Sequence, residues 1–221
     1  MNYKNATYNL LMDYYEKYGK DRTIEIAYNM LQSNRHKEDK AFVSIVHGEI
    51  CEVIACITIK DYIKHNPQQT KDWFYIKGLI LKDLINPNKF TEIDIVLYTP
   101  QMVYAIECKC YSGVKILIDK CTIVRGNAKI DVYAQHKLHT QFLEEHIKHG
   151  RIITEKTLAT QLVLFNFSVG STKDTRTPKN RIFMINANHE TLPKLFDFNK
   201  NLSIAWDINF LRKVNKILIG G

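Results

Sequence analysis

Residues 91–109 read T-E-I-D-I-V-L-Y-T-P-Q-M-V-Y-A-I-E-C-K. Two strand-like runs, 92–98 and 102–110, flank a short turn at Pro100 and Gln101, which predicts an antiparallel hairpin. Strand side chains alternate faces, so Glu107 and Lys109 share one side while Cys108 points to the other. The hairpin brings Asp94 beside that pair. Two carboxylates and one ammonium then converge within a sheet, a costly arrangement that a divalent cation would explain.

The chain around this hairpin has 221 residues, enough for one large domain or a domain with an extension. With 45% hydrophobic and 11% aromatic residues it can bury a substantial core. Its 31 basic and 23 acidic residues leave a net charge of +8, which favours polyanionic partners without specifying a fold. Cysteines at 51, 56, 108, 110 and 121 are odd in number and include no C-x-x-C pair. They suggest neither a disulfide framework nor a zinc ribbon, and a reducing, cytoplasmic setting is expected. The first residues, with Asp13 and Glu16 and no long apolar stretch, do not read as a signal peptide. No run approaches the ~18 apolar residues of a membrane span, so no membrane association is expected.

Periodicity predicts helices over 6–18, 23–33 and, after a polar break at 34–40, a longer one over 41–63. Strands follow at 73–81, 92–98, 102–110 and 115–124. A helix is expected over 129–149, with Tyr133, Ala134, Leu138, Phe142 and Leu143 as its apolar members. Strands at 162–167 and 181–186 bracket a polar surface loop over 168–180, and Asp207 is placed to cap a last helix. This order implies an α/β architecture with a mixed central sheet flanked by helices. Residues 1–40 read as a helical N-terminal extension and 41–221 as the main domain.

The long helix carries His47-Gly48-Glu49-Ile50-Cys51-Glu52, with Glu49 and Glu52 on one face. The ordered set is thus a helical glutamate, a strand aspartate and E-x-K on the next strand. It resembles the PD-(D/E)xK nuclease superfamily, and more narrowly the nuclease-related domain (NERD) family. Gly48-Glu49-Ile50-Cys51-Glu52 is similar to that family's G-E-x-G-E, and Thr91-Glu92-Ile93-Asp94 to its T-x-I-D. Glu107-Cys108-Lys109 with Gly113 is similar to its E-x-K-x-x-x-G, and Gln135 to a glutamine in the following helix. Cys51 replaces the family's usual second glycine, and Ala128 stands near where a helix-starting proline is common.

The resemblance implies a restriction-endonuclease-like core and Mg2+- or Mn2+-dependent hydrolysis of DNA phosphodiester bonds. It implies that Asp94, Glu107 and the Cys108 backbone carbonyl bind the ion, with Glu52 binding a second ion or orienting water. It assigns Lys109 to the attacking water and phosphate charge, and Gln135 to positioning Lys109 or the phosphate. A non-catalytic nucleic-acid-binding or assembly module with the same fold, and a ribonuclease, are the alternatives. Read singly, each residue has a plainer explanation: Asp94 as an exposed strand residue, Glu107 and Lys109 as a surface pair worth ~0.2–1 kcal/mol.

Other features point less far. His136 and His139, and His146 and His149, pair at helical spacing suited to zinc, but no acidic or cysteine partner is evident in the sequence. Cys108 and Cys110 read as packing residues on the face away from the acidic cluster. No P-loop is present. Lys173, Arg176, Lys179 and Arg181 form a basic loop available for phosphate contacts.

Overall fold

The structure is a computed structural model. It describes residues 3–34, 39–83, 85, 86, 88–110, 116–119, 122–125, 127–149, 160–168, 172–181, 183–204 and 206–220. Helix α1 (Tyr3–Ser33) bends at Gly19, whose φ of 79° breaks the helical path and separates the two expected helices. Helix α2 (Lys40–His65) starts at Asp39, whose carboxylate accepts the Phe42 N–H. By length and composition α2 is apolar enough to cross a membrane, contrary to the expectation that no segment would be. Its apolar residues from Ile50 to Ile57 are instead fully buried in the protein core.

The short helix α3 (Pro67–Thr70) leads into the strands β1 (Phe74–Lys82), β2 (Phe90–Tyr98) and β3 (Val103–Lys109). Next come β4 (Ile116–Asp119), β5 (Thr122–Arg125), β6 (Ala128–Ile130) and helix α4 (Val132–His149). The run expected as one strand over 115–124 is therefore two paired strands. The helix expected from 129 begins at Val132, where Asp131 accepts the Ala134 N–H, and Ala128 lies in β6. Beyond it lie β7 (Thr160–Asn166), β8 (Thr172–Asp174), α5 (Pro178–Arg181), β9 (Ile185–Ala187), α6 (Thr191–Asn199) and α7 (Ile208–Gly220). Within the expected loop at 168–180 lie β8 and the start of α5, and the short helix α6 is an element beyond those the periodicity predicts. Asp207 does cap α7, accepting the Asn209 N–H.

The main sheet has the order β1-β2-β3-β7-β9. The first three strands are antiparallel, and β3, β7 and β9 are parallel. A smaller sheet, β6-β5-β4-β8, accompanies it. One face of the main sheet buries Ile95, Leu97, Tyr104, Ile106 and Cys108 against α1, α2 and α6. The other buries Val96, Tyr98, Val103, Ala105 and Leu164 with Val132, Phe142 and Leu143 of α4 and Leu211 of α7. This is the α/β layering, mixed sheet and N-terminal helical region expected of a nuclease-like fold.

One irregularity shapes the site. On β2, Ile93 and Val96 face the same core although three residues apart, and on β1 Ile76 and Leu79 do likewise. Both strands therefore shift phase by one residue between the pairs Lys77–Ile95 and Leu79–Ile93. Gly78 sits on β1 at that point with φ 65°, a conformation an L side chain rarely adopts. Its counterpart on β2 is Asp94.

Candidate active site

Pairing between β2 and β3 ends at Ile95 and Ile106, whereas β3 stays paired to β7 as far as Lys109 and Asn166. The two strands part at the level of Asp94 and Glu107. Into that opening Asp94 turns its carboxylate, which accepts a 2.7 Å hydrogen bond from the Cys108 backbone N–H. The cost of breaking the ladder is thus offset by a hydrogen bond to the same backbone. Burial, and then the Glu107 charge, push the Asp94 carboxyl up to about 8.

Glu107 is only 2% exposed. Its Oε1 accepts a 2.5 Å bond from Lys109 Nζ, as same-face placement on β3 requires. Lys109 retains 24% side-chain exposure and so reaches toward solvent. The face bearing Glu107 is covered by α4. Cys108 is buried on the opposite face. There Cys51 of α2 donates through Sγ to the Lys109 carbonyl at 3.1 Å, which ties α2 to the end of β3.

Glu52 faces β1 and pairs with Lys77 at 2.9 Å. Lys77, Glu52, Glu49, Gly48, Ser44 and Ile45 line a cleft of about 240 Å³. Within it the Glu49 carboxylate is buried beside Thr7 and the Tyr8 backbone of α1. Burial raises its pKa, and Lys77 offsets this in part. Its placement on the Glu52 face was readable from the i, i+3 spacing; its burial was not.

Gln135 lies exposed on α4. It stands outside the buried stripe of α4, which runs through Val132, His136, His139 and Leu143. Of the apolar members of α4, Phe142 and Leu143 are buried whereas Ala134 and Leu138 are exposed. Two histidines occupy the core positions instead. His136 Nε2 contacts the Ala105 carbonyl at 2.7 Å, and its Nδ1 lies 3.4 Å from His139 Nδ1. His139 Nδ1 in turn lies 3.6 Å from Glu107 Oε2. Burial pushes both imidazoles down, His136 to about 3, so they are neutral near pH 7. Glu107, His136 and His139 each offer a ligand atom, all within 4.8 Å of one another, a grouping able to hold a divalent metal. The acidic partner missing from the sequence reading of these histidines is thus Glu107, brought in from β3.

The basic loop divides. Lys173 and Lys179 are exposed, and Arg181 is half-exposed while donating to the Arg176 and Asp174 carbonyls. Arg176 is not available to phosphate. Its side chain is fully buried, bonded twice to the Asp174 carboxylate and once, at 2.6 Å, to the Met184 carbonyl. A guanidinium placed in the core must satisfy its N–H donors internally, and the Asp174 carboxylate and the Met184 carbonyl take three of them. Gly113 lies outside the described residues.

The Asp94–Glu107–Lys109 arrangement suits a hard divalent cation by its donor chemistry. The buried Glu107 and the half-buried Asp94 share one nearby ammonium, and the Asp94 carboxyl is raised by desolvation first and by the Glu107 charge second, both of which a bound cation would offset. The family model of the nuclease-related domain matches residues 48–166, more than half of the chain. No curated protein and no solved structure gives a significant match.

Proposed function

The chain belongs to the nuclease-related domain family, and from that premise we propose that it is a metal-dependent nuclease hydrolysing DNA phosphodiester bonds. The observation that carries this reading is the convergence of Asp94, Glu107 and Lys109 where β2 and β3 separate. Asp94 and Glu107, with the Cys108 carbonyl, are the proposed ligands of one Mg2+ or Mn2+ ion. Bound there, such an ion supplies Lewis-acid stabilisation and a water of lowered pKa. Lys109 meets the charge that develops on the phosphate, and its partial exposure leaves it reachable by substrate. Glu52, held by Lys77, adds a further carboxylate able to orient water. In this reading residues 41–221 are the nuclease unit and 1–40 a helical extension.

The +8 charge supports a nucleic-acid substrate, with Lys173 and Lys179 as its exposed basic contacts. Cys51, Cys56, Cys108 and Cys110 are free thiols, in keeping with a reducing cytoplasm. The test is incubation of the full chain with plasmid, linear duplex and single-stranded DNA, and with RNA, in Mg2+, Mn2+ or EDTA. Cleavage of DNA that EDTA stops is expected. Cleavage of RNA alone would move the assignment to a ribonuclease. Metal-independent binding with no cleavage would make the chain a binding module of the same fold.

A further inference from the structure

We infer that Glu107, His136 and His139 form a second, nitrogen-rich metal site selective for Zn2+-like ions, behind the oxygen-lined opening at Asp94. It shares Glu107 with the nuclease reading but does not depend on that reading. Zinc bonds to imidazole nitrogen and carboxylate oxygen are about 2.0–2.2 Å, so tetrahedral ligands sit about 3.3–3.6 Å apart. The two measured edges, 3.4 Å between the imidazole nitrogens and 3.6 Å from His139 to Glu107, match that spacing without an ion. The third edge closes within 4.8 Å, so small side-chain rotations complete the set.

The surrounding bonds prepare the ligands. His136 donates Nε2–H to the Ala105 carbonyl, which leaves a lone pair on Nδ1, the atom that faces the other two ligands. Histidines that bind metals are held by this kind of backbone bond, which fixes the tautomer and ring orientation. Glu107 is divided between two neighbours, with Oε1 on Lys109 and Oε2 toward His139. Two imidazoles and one carboxylate favour a borderline ion over Mg2+, which prefers oxygen and retains its waters. Such an ion would clamp α4 to β3 and hold the Glu107 carboxylate from behind. Three protein ligands leave one position for water.

The test uses the full chain stripped by chelator and titrated with Co2+, whose visible absorption reports nitrogen ligands in a tetrahedral field. One equivalent is expected to bind, to be displaced by Zn2+ and to resist a large excess of Mg2+. His136→Gln and His139→Gln should each weaken binding by about 100-fold or more, while Asp94→Asn should retain the band. No band in the wild-type chain, or an unchanged band in folded His139→Gln, overturns the site. Should the histidine variants not fold, imidazole 15N spectra of the wild-type chain decide: Zn2+ must shift the Nδ1 signals of His136 and His139, and unshifted signals reject the site. Cleavage is measured in parallel. A Co2+ band that needs His139 in a chain that cleaves nothing removes the nuclease reading alone, and cleavage without a band removes the zinc site alone.

Discussion

The Asp94 carboxylate takes the backbone N–H of Cys108 at 2.7 Å, spanning the point where β2 and β3 cease to pair. One side chain therefore both repairs the broken ladder and presents a second oxygen beside Glu107. Asp94→Asn keeps an oxygen able to accept that bond but loses the charge. The variant should fold, bind Mn2+ at least about 10-fold more weakly by calorimetry and cleave at least about 100-fold more slowly. Equal Mn2+ binding by both proteins would remove Asp94 from the ligand set.

Lys109→Met keeps the stem's packing and deletes the ammonium. A folded protein with near-normal DNA binding is expected, with cleavage slower by about 100-fold or more. A variant that cleaves like the wild type would make the Glu107–Lys109 pair merely structural.

The raised Asp94 carboxyl gives the metal-free protein a pH signature. Between its ordinary 3.8 and about 8 the folded state holds a proton that the unfolded chain has released. Stability on this account falls as pH rises through that window. His136, lowered from 6.5 to about 3, acts oppositely: stability is lost as pH falls below about 6.5. Above pH 6.5 only the Asp94 effect remains of the two. Denaturant midpoints in EDTA should therefore decline from pH 6.5 to 8, and Asp94→Asn should flatten the decline. Mn2+ affinity should rise over the same interval, because binding displaces the Asp94 proton.

Gly78→Ala forces a side chain onto φ 65° opposite Asp94. A loss of about 1–3 kcal/mol in chemical denaturation is expected. A neutral result would show that the paired kink of β1 and β2 carries no strain.

Arg176 and its lysine neighbours should behave differently. Arg176→Ala strands the Asp174 carboxylate and the Met184 carbonyl, so a loss of about 3 kcal/mol is expected. Lys173→Ala and Lys179→Ala should leave stability unchanged. Each should reduce the slope of log affinity against log salt by about 0.9 if it touches a duplex phosphate. Unchanged slopes in both would place the DNA-binding surface elsewhere.

The sequence by itself determined the hairpin, the shared face of Glu107 and Lys109, the inward turn of Cys108 and the long helix bearing Glu49 and Glu52. These are local matters, governed by periods of 2 and 3.6 residues and by turn chemistry that a linear chain displays directly. Tertiary structure decided which neighbours those residues meet. The buried stripe of α4 is not legible in the sequence because two of its core positions are held by His136 and His139, polar residues that count as surface until a partner is seen. Their partner, Glu107, lies about thirty residues earlier in the chain. Arg176 was read as a surface cation for the same reason, since its burial depends on the Met184 carbonyl reached through the turn after β8. The parting of β2 and β3, the Gly78 kink and the Lys77–Glu52 pair likewise arise from contacts between segments, where desolvation and pairing are settled only once the chain has closed on itself.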